Sequence, residues 1–174
     1  AGIEAGEAGV YLSLEETKPK FYRNMMTLGI DLQKYEDEGM FIFQEIRTSH
    51  LLDTIEKGYQ GLRNIIQEHN AKRIVIDSIT ALTITAETER EAREKILTLI
   101  EKNILRWDVT TVLIDETSEG SVRHGLKFLV DGVVFFYNEK VGGTRLRSLE
   151  IMKLRGSNHS TKEVPLLIKP DDIQ

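Results

Sequence analysis

The sequence predicts an α/β fold with a mainly parallel central sheet, helices flanking that sheet and an antiparallel extension at the C-terminal end. Short apolar, β-branched runs alternate along the chain with longer segments of helical spacing, which is typical of a parallel sheet covered on both faces. The last three strand-like runs follow one another closely, which favours antiparallel pairing. At 174 residues, the chain has the length of one domain, and we expect a single domain over residues 1–174.

The first part of the chain is expected to contain two strands and three helical segments. The strands are short apolar runs, whereas the helices have apolar residues at every third or fourth position. In chain order, these elements are a strand at Val10–Leu14, a helix that ends at Gly29, a helical turn at Leu32–Tyr35, a strand at Met40–Phe43 and a helix over Leu51–His69.

The remaining part begins with the clearest strand of the sequence. Arg73–Asp77 is a β-branched run that ends in a carboxylate, as expected where a buried strand delivers an acid to a site at its C-terminal edge. An amphipathic helix follows, with its charged residues on a solvated face. The predicted elements are this helix at Glu87–Trp107, strands at Thr110–Ile114, Gly132–Tyr137, Leu146–Met152 and Val164–Ile168, and a turn at Val141–Thr144.

Composition limits the possible functions. No apolar run approaches the roughly 20 residues of a membrane helix, and residues 1–9 lack the features of a signal peptide. We therefore expect a cytoplasmic protein that does not span a membrane. The chain has no cysteine, which excludes disulfides, thiolate zinc sites and a cysteine nucleophile. Its net charge of -5 argues against a strongly basic nucleic-acid binder.

Acidic residues follow two strands of the predicted parallel sheet. Asp77 and Ser78 end one strand, and Glu15 and Glu16 follow another. Because parallel strands point their C-terminal ends at one crevice, we expect three carboxylates to converge there, where they can hold Mg2+ through water and activate an attacking water. In the alternative interpretation, the glutamates only favour the next helix through its dipole and Asp77 is a helix cap. These residues alone leave both interpretations open.

Two cations near the C-terminus form a third feature. Lys153 and Arg155 are separated by one residue on a predicted strand, so their side chains are expected to share a face. They either stabilise charge on a transferring phosphoryl group, as an arginine finger does, or protect an exposed sheet edge. The pattern itself does not decide between these roles.

Three segments resemble, in order, parts of the KaiC-like ATPase domains of the RecA superfamily. Gly6–Thr17 is similar to the family's strand that ends in two catalytic glutamates, Ala71–Leu82 to its Walker B strand, and Glu150–His159 to its K-x-R-G-x-x-H strand. Together they span nearly the whole chain. The resemblance implies a RecA-like P-loop NTPase fold, ATP and Mg2+ as ligands, and a homo-oligomer that is usually a hexameric ring.

The resemblance also implies residue roles. The two glutamates would activate water, Asp77 would lie near Mg2+ and act through water, and the two cations would reach the γ-phosphate bound by a neighbouring subunit. The catalytic residues implied in this way are Glu15, Glu16, Lys153 and Arg155, and the cofactor-binding residues are Asp77, Ser78, Ser157 and His159.

The sequence departs from the family in one respect. It contains no phosphate-binding loop of the form G-x-x-x-x-G-K-[ST], since none of its 13 glycines precedes a lysine. In the family this loop lies upstream of the first resembling segment, so we expect the chain to be part of a longer protein that carries the loop. A polar sensor residue often follows the strand at Thr110–Ile114 in relatives, and the sequence does not decide whether Asp115 or Glu116 takes that role.

Two other functions remain open at the level of sequence. One is a recombinase-like ATPase that binds DNA, which the acidic net charge disfavours. The other is a non-catalytic ring or scaffold module that uses the same fold for protein contacts. Neither the biological pathway nor the possibility of autophosphorylation follows from these residues.

Overall fold

The computed structural model describes residues 2–46, 59–84, 86–116, 123–169 and 172–173. The chain divides into two compact units, Ala1–Glu116 and Thr117–Gln174. The first contains a parallel sheet with helices and the second an antiparallel sheet, which confirms the predicted α/β class and the antiparallel extension. Within the described ranges, no helix has both the length and the apolar character that a membrane crossing requires.

The sheet of the first unit has four parallel strands, in the spatial order β2-β1-β3-β4. Their bounds are β1 Gly9–Ser13, β2 Phe41–Glu45, β3 Arg73–Asp77 and β4 Thr110–Leu113. The predicted strands agree with these bounds to within two residues, and the prediction for β3 is confirmed at both ends. Because β1 and β3 are the central strands and pair directly, their carboxyl ends lie side by side.

The helices of the first unit connect these strands. Their bounds are α1 Lys18–Thr27, α2 Leu32–Asp37, α3 Gln60–Glu68, α4 Thr80–Ile84 and α5 Glu89–Leu99, and α5 continues through a π-helical turn at Ile100–Ile104 into α6 Leu105–Trp107. Thr88 caps α5, because its side chain accepts a hydrogen bond from the backbone N–H of Glu91. Of the helix predicted at Leu51–His69, the part at 60–68 is confirmed, and residues 51–58 lie outside the described ranges.

The core of the first unit lies against both faces of the sheet. Val10 and Leu12 of β1 are buried on the same face as Ile74 and Ile76 of β3, because register partners in parallel strands share a face. The opposite face carries Tyr11 and the aromatic residues of β2, which pack against Phe21 of α1. Alternate residues of each central strand therefore contribute to different parts of the core.

The second unit is built on a long hairpin. A 3-10 helix at Arg123–Phe128 precedes the strands β5 Gly132–Val141, β6 Thr144–Leu154 and β7 Val164–Pro165, which pair in the order β5-β6-β7, while β8 Ile168–Lys169 pairs with β9 Asp172–Ile173. The predicted turn is confirmed: Gly142 and Gly143 both have positive φ angles, of 56° and 87°, which a tight hairpin turn of this kind requires.

One strand prediction in the second unit was wrong. Val164–Ile168 is not a single strand, because its first two residues pair with β6 and its last residue belongs to β8. The paired residues of β7 end at Pro165, which has no backbone N–H to donate, and one further backbone hydrogen bond to β6 runs from the N–H of Leu166 to the carbonyl of Arg147 at 2.8 Å.

Candidate functional site

The carboxyl edge of the parallel sheet brings together three of the predicted site residues. Asp77 is the last residue of β3 and lies opposite Ser13, the last residue of β1. Ser78 follows Asp77 and is fully buried, and its hydroxyl donates a hydrogen bond of 2.7 Å to Oε1 of Glu15. Glu15 itself is exposed. The carboxylate of Glu15 and the end of the β3 strand are thus joined through the Ser78 hydroxyl.

Two side chains of α1 contact the Glu16 carboxylate. The hydroxyl of Ser13 accepts a hydrogen bond from the backbone N–H of Glu16 at 2.9 Å and fixes the backbone here. The Glu16 carboxylate lies 3.0 Å from the ammonium of Lys20 and accepts a hydrogen bond from Asn24 at 3.1 Å. Both partners belong to α1, so this side chain is engaged by the helix that follows the strand.

The convergence of three carboxylates stays a prediction, of which the structure shows one part: Ser78 joins the Glu15 carboxylate to the end of β3. Among the residues that the structure describes, no three acidic or histidine side chains are arranged to hold a metal ion. The physical reason is that consecutive residues leaving a strand project in different directions. Ser78 holds Glu15, whereas a lysine four residues further along the chain attracts Glu16.

Asp77 has a partner that sequence reasoning missed. The hydroxyl of Tyr11 donates a hydrogen bond to Oδ2 of Asp77. Burial, followed by this hydrogen bond and the negative charge of Asp77, raises the pKa of the Tyr11 phenol above its ordinary value. The phenol therefore stays protonated at neutral pH and remains a hydrogen-bond donor. The pairing of Tyr11 with Val75 puts Tyr11 on the same sheet face as Asp77, and the sequence alone carried no signal for this register.

A second polar contact lies where β3 and β4 end. The hydroxyl of Thr80 donates to Oδ1 of Asp115 at 3.1 Å and accepts from the backbone N–H of Glu116 at 3.0 Å. The backbone N–H of Ile79 also donates to the carbonyl of Ile114 at 2.9 Å. Of the two acids that sequence left undecided, Asp115 is thus the one whose carboxylate is held beside the segment that follows Asp77.

The two predicted cations lie in the second unit and contact the same segment of chain. The ammonium of Lys153 donates to the backbone carbonyls of Lys127 and Val130, at 2.6 and 2.5 Å. The guanidinium of Arg155 contacts the carboxylate of Asp131 at 3.1 Å and the carbonyl of Phe128 at 3.0 Å. Both side chains therefore extend toward residues 127–131, although Arg155 lies one residue beyond the end of β6 at Leu154 and not on the predicted strand.

The last two predicted site residues follow β6 in an irregular segment. Ser157 is exposed and His159 is partly buried. Their polar contacts are local: the Ser157 hydroxyl lies 3.4 Å from the carbonyl of Asn158, and Nδ1 of His159 lies 3.4 Å from the carbonyl of Ser157. These long contacts hold neither side chain firmly.

The donor set at the carboxyl edge suits Mg2+. Carboxylate and hydroxyl oxygens are the hard ligands that this ion prefers, and it commonly keeps several waters between itself and the protein. Among the described residues, neither Glu15 nor Asp77 forms an ion pair with a lysine or arginine. The negative charge at this edge is thus available to a cation, and Asp77 fits the role of an acid that holds Mg2+ through water.

Comparisons with known proteins agree with this architecture. A family profile described as "ATPase: KaiC" matches residues 1–174. The UPF0273 protein PF1931 of Pyrococcus furiosus is 32% identical over 200 aligned positions, which cover 99% of this chain and 78% of that protein. The circadian clock oscillator protein KaiC of Synechococcus elongatus is 31% identical over 181 positions, which cover 98% of this chain and 35% of KaiC.

A solved structure also resembles this chain, in both sequence and fold. The crystal structure of the KaiC-like protein PH0186 from Pyrococcus horikoshii OT3 matches this fold with a TM-score of 0.85 at 32% identity, covering 99% of this chain and 76% of that one. The predicted RecA-like fold is thereby confirmed. With a family profile that matches from the first residue to the last, the chain belongs to the KaiC family of ATPase domains.

Proposed function

We propose that the full-length protein hydrolyses ATP with Mg2+, at sites formed between the subunits of a hexameric ring in the cytoplasm. The observation that carries this proposal is the 2.7 Å hydrogen bond from Ser78 to Glu15, which joins the ends of the two central strands beside Asp77. The sequence contains no G-x-x-x-x-G-K-[ST] loop, so ATP binding is proposed for the full-length protein and not for these 174 residues alone.

Glu15 is the residue best suited to activate water. Its Oε1 accepts the Ser78 hydrogen bond, and among the described residues no hydrogen-bond donor contacts its Oε2. An exposed carboxylate held in this way can orient a water and accept its proton. The Glu16 carboxylate is contacted by Lys20 and Asn24 of α1, so Glu15 is the stronger candidate for the proton acceptor.

Asp77 and Ser78 form the part of the site that faces the cation. Bound Mg2+ neutralises charge on the phosphate oxygens. Asp77 would hold this ion through water, with one carboxylate oxygen fixed by Tyr11. Ser78 is fully buried, so its hydroxyl keeps Glu15 at a constant position relative to Asp77.

The two cations of the second unit are proposed to act on the nucleotide of a neighbouring subunit. Their present contacts are with backbone carbonyls and with an exposed carboxylate, and exposed ion pairs of this kind contribute about 0–1 kcal/mol. A phosphate offers charge-assisted, bidentate hydrogen bonds that are considerably stronger. Lys153 and Arg155 can thus exchange these contacts for a γ-phosphate, with Ser157 and His159 lining the same side of the nucleotide.

Mixing two inactive variants tests the arrangement between subunits. Glu15→Gln removes the proposed base, and Arg155→Ala removes the cation that a neighbour supplies. Rings assembled from equal amounts of both contain interfaces at which an intact Glu15 meets an intact Arg155. Random assortment around the ring makes roughly a quarter of the interfaces complete, so we expect ATP hydrolysis to recover to roughly that fraction of the wild-type rate, measured as phosphate release.

The matched control mixes Glu15→Gln with Asp77→Asn. Both changes affect the half of the site that one subunit supplies, so no interface in a mixed ring is complete, and we expect no recovery. Equal absence of recovery in the two mixtures would show that Arg155 acts within its own subunit, and an active Arg155→Ala variant would show that it does not act in hydrolysis.

A further inference from the structure

The Tyr11 hydroxyl lies beside the acid proposed to face Mg2+. Tyr11 pairs with Phe43 on one side and with Val75 on the other, in the centre of the sheet. Asp77 is two residues beyond Val75 and therefore lies on the same sheet face. The tyrosine side chain is long enough to cross from Tyr11 on β1 to the end of β3, and its hydroxyl reaches Oδ2 of Asp77.

The position of the Tyr11 ring does not depend on this hydrogen bond. Its centroid lies 4.4 Å from that of Phe21, and the ring is stacked on Phe43 with a centroid distance of 5.8 Å. Phe41 lies 6.4 Å away in the same cluster. Because apolar packing holds the ring from several sides, the hydroxyl is presented to Asp77 from a rigid support.

The hydrogen bond also makes the two carboxylate oxygens of Asp77 different. Oδ2 is occupied by the phenol, whereas Oδ1 has no hydrogen-bond partner among the described residues. A donor on one oxygen restrains rotation of the carboxylate and leaves the other oxygen to accept from a water. Partners of this kind orient the groups that hold a metal ion.

We propose that Tyr11 is a positioning residue that orients Asp77 toward the Mg2+ of a bound Mg2+–nucleotide complex. This inference rests on the function proposed above for the carboxyl edge. Among the described residues, the hydroxyl donates to Oδ2 of Asp77 and forms no hydrogen bond with Glu15 or Glu16. Its loss should therefore weaken the binding of the metal while leaving the binding of metal-free nucleotide unchanged.

The test is the Tyr11→Phe variant of the full-length protein, which keeps the ring and removes the hydroxyl. Mn2+ is the probe, titrated in the presence of a non-hydrolysable ATP analogue and followed by the electron paramagnetic resonance signal of the free ion. We expect the dissociation constant for Mn2+ to rise on the order of tenfold. In EDTA, the affinity for a fluorescent ATP analogue should equal that of the wild type.

Tyr22→Phe is the matched control. Tyr22 belongs to the same aromatic cluster, packs against Phe41 and Phe43, and donates its hydroxyl to a different carboxylate, Oε2 of Glu36, at 2.9 Å. The Tyr22→Phe variant therefore measures how the loss of one hydroxyl from this aromatic cluster affects folding when the contact with Asp77 is kept. We expect its Mn2+ affinity to match the wild type, and we expect both variants to have similar melting temperatures.

The outcomes separate this inference from the proposed function. Unchanged Mn2+ affinity in Tyr11→Phe, with an active wild type, would overturn the role of Tyr11 and leave the ATPase proposal standing. Weaker Mn2+ binding in Tyr11→Phe with a wild type that does not hydrolyse ATP would support the positioning role and refute hydrolysis. A wild type that binds no Mn2+ with the analogue would overturn both.

Discussion

Glu15→Gln will lower the rate of ATP hydrolysis by about 10²- to 10⁴-fold, the usual contribution of a general base. Glutamine has the size of glutamate, and its amide oxygen can still accept the hydrogen bond from Ser78. It cannot, however, take a proton from water. The rate is measured as phosphate released by the full-length protein at saturating Mg2+ and ATP, and the variant should retain the nucleotide affinity of the wild type.

Glu16→Gln is the neighbouring control with the same change in chemistry. Its carboxylate contacts Lys20 and Asn24 of α1. Because an ion pair with an exposed lysine, such as Glu16–Lys20, contributes only about 0–1 kcal/mol, we expect its loss to lower the rate far less than the loss of Glu15 does. A larger loss in Glu16→Gln than in Glu15→Gln would reverse the assignment of the base.

Ile76→Ala is expected to have the largest effect on stability. Ile76 is 1% exposed and lies in β3, which pairs with strands on both sides. Deleting its side chain beyond Cβ leaves a cavity that two flanking strands prevent from collapsing, so the free energy of unfolding should fall by about 2–5 kcal/mol. The measurement is urea denaturation followed by circular dichroism, at one protein concentration for all variants.

Val112→Ala is the control for this prediction. Val112 lies in the neighbouring strand β4, and its side chain is 51% exposed. Changes at exposed positions usually stay within about 0.5 kcal/mol. A similar loss of stability in both variants would mean that β3 is not the centre of the core.

The elements that sequence predicted best are those whose signal is local. Arg73–Asp77 has its predicted bounds because an uninterrupted β-branched run can only be a buried strand in this context. The sequence also predicted that the residues after β1 and β3 share one edge of the sheet, where the structure shows Glu15 bonded to Ser78, since parallel strands deliver their ends to one edge. The first prediction depends only on the local order of residues, and the second depends only on the common direction of parallel strands.

The features that were missed depend on contacts between distant residues. The direction of Glu16 depends on Lys20 and Asn24, which face it only once α1 has formed. The hydrogen bond from Tyr11 to Asp77 joins residues 66 positions apart and depends on the register of β1 against β3. Neither register nor helix orientation can be read from one sequence.

The hairpin of the second unit shows a different limit of strand prediction from sequence. The ladder of β5 continues to Val141, past the predicted end at Tyr137, because the tight turn at Gly142 and Gly143 keeps the two strands paired. Residues 138–140 are polar and exposed, so they carry no apolar alternation from which a strand could be predicted. Turn geometry, and not burial, extends this part of the sheet.

Phosphate release by the wild-type full-length protein, measured with ATP in Mg2+ and again in excess EDTA, shows whether the carboxyl edge of the sheet catalyses hydrolysis through a bound cation. An acid-lined sheet edge that works through a cation requires that cation for hydrolysis. We predict steady phosphate release in Mg2+ that EDTA abolishes. Absence of release in Mg2+, or release that continues unchanged in EDTA, would contradict the account.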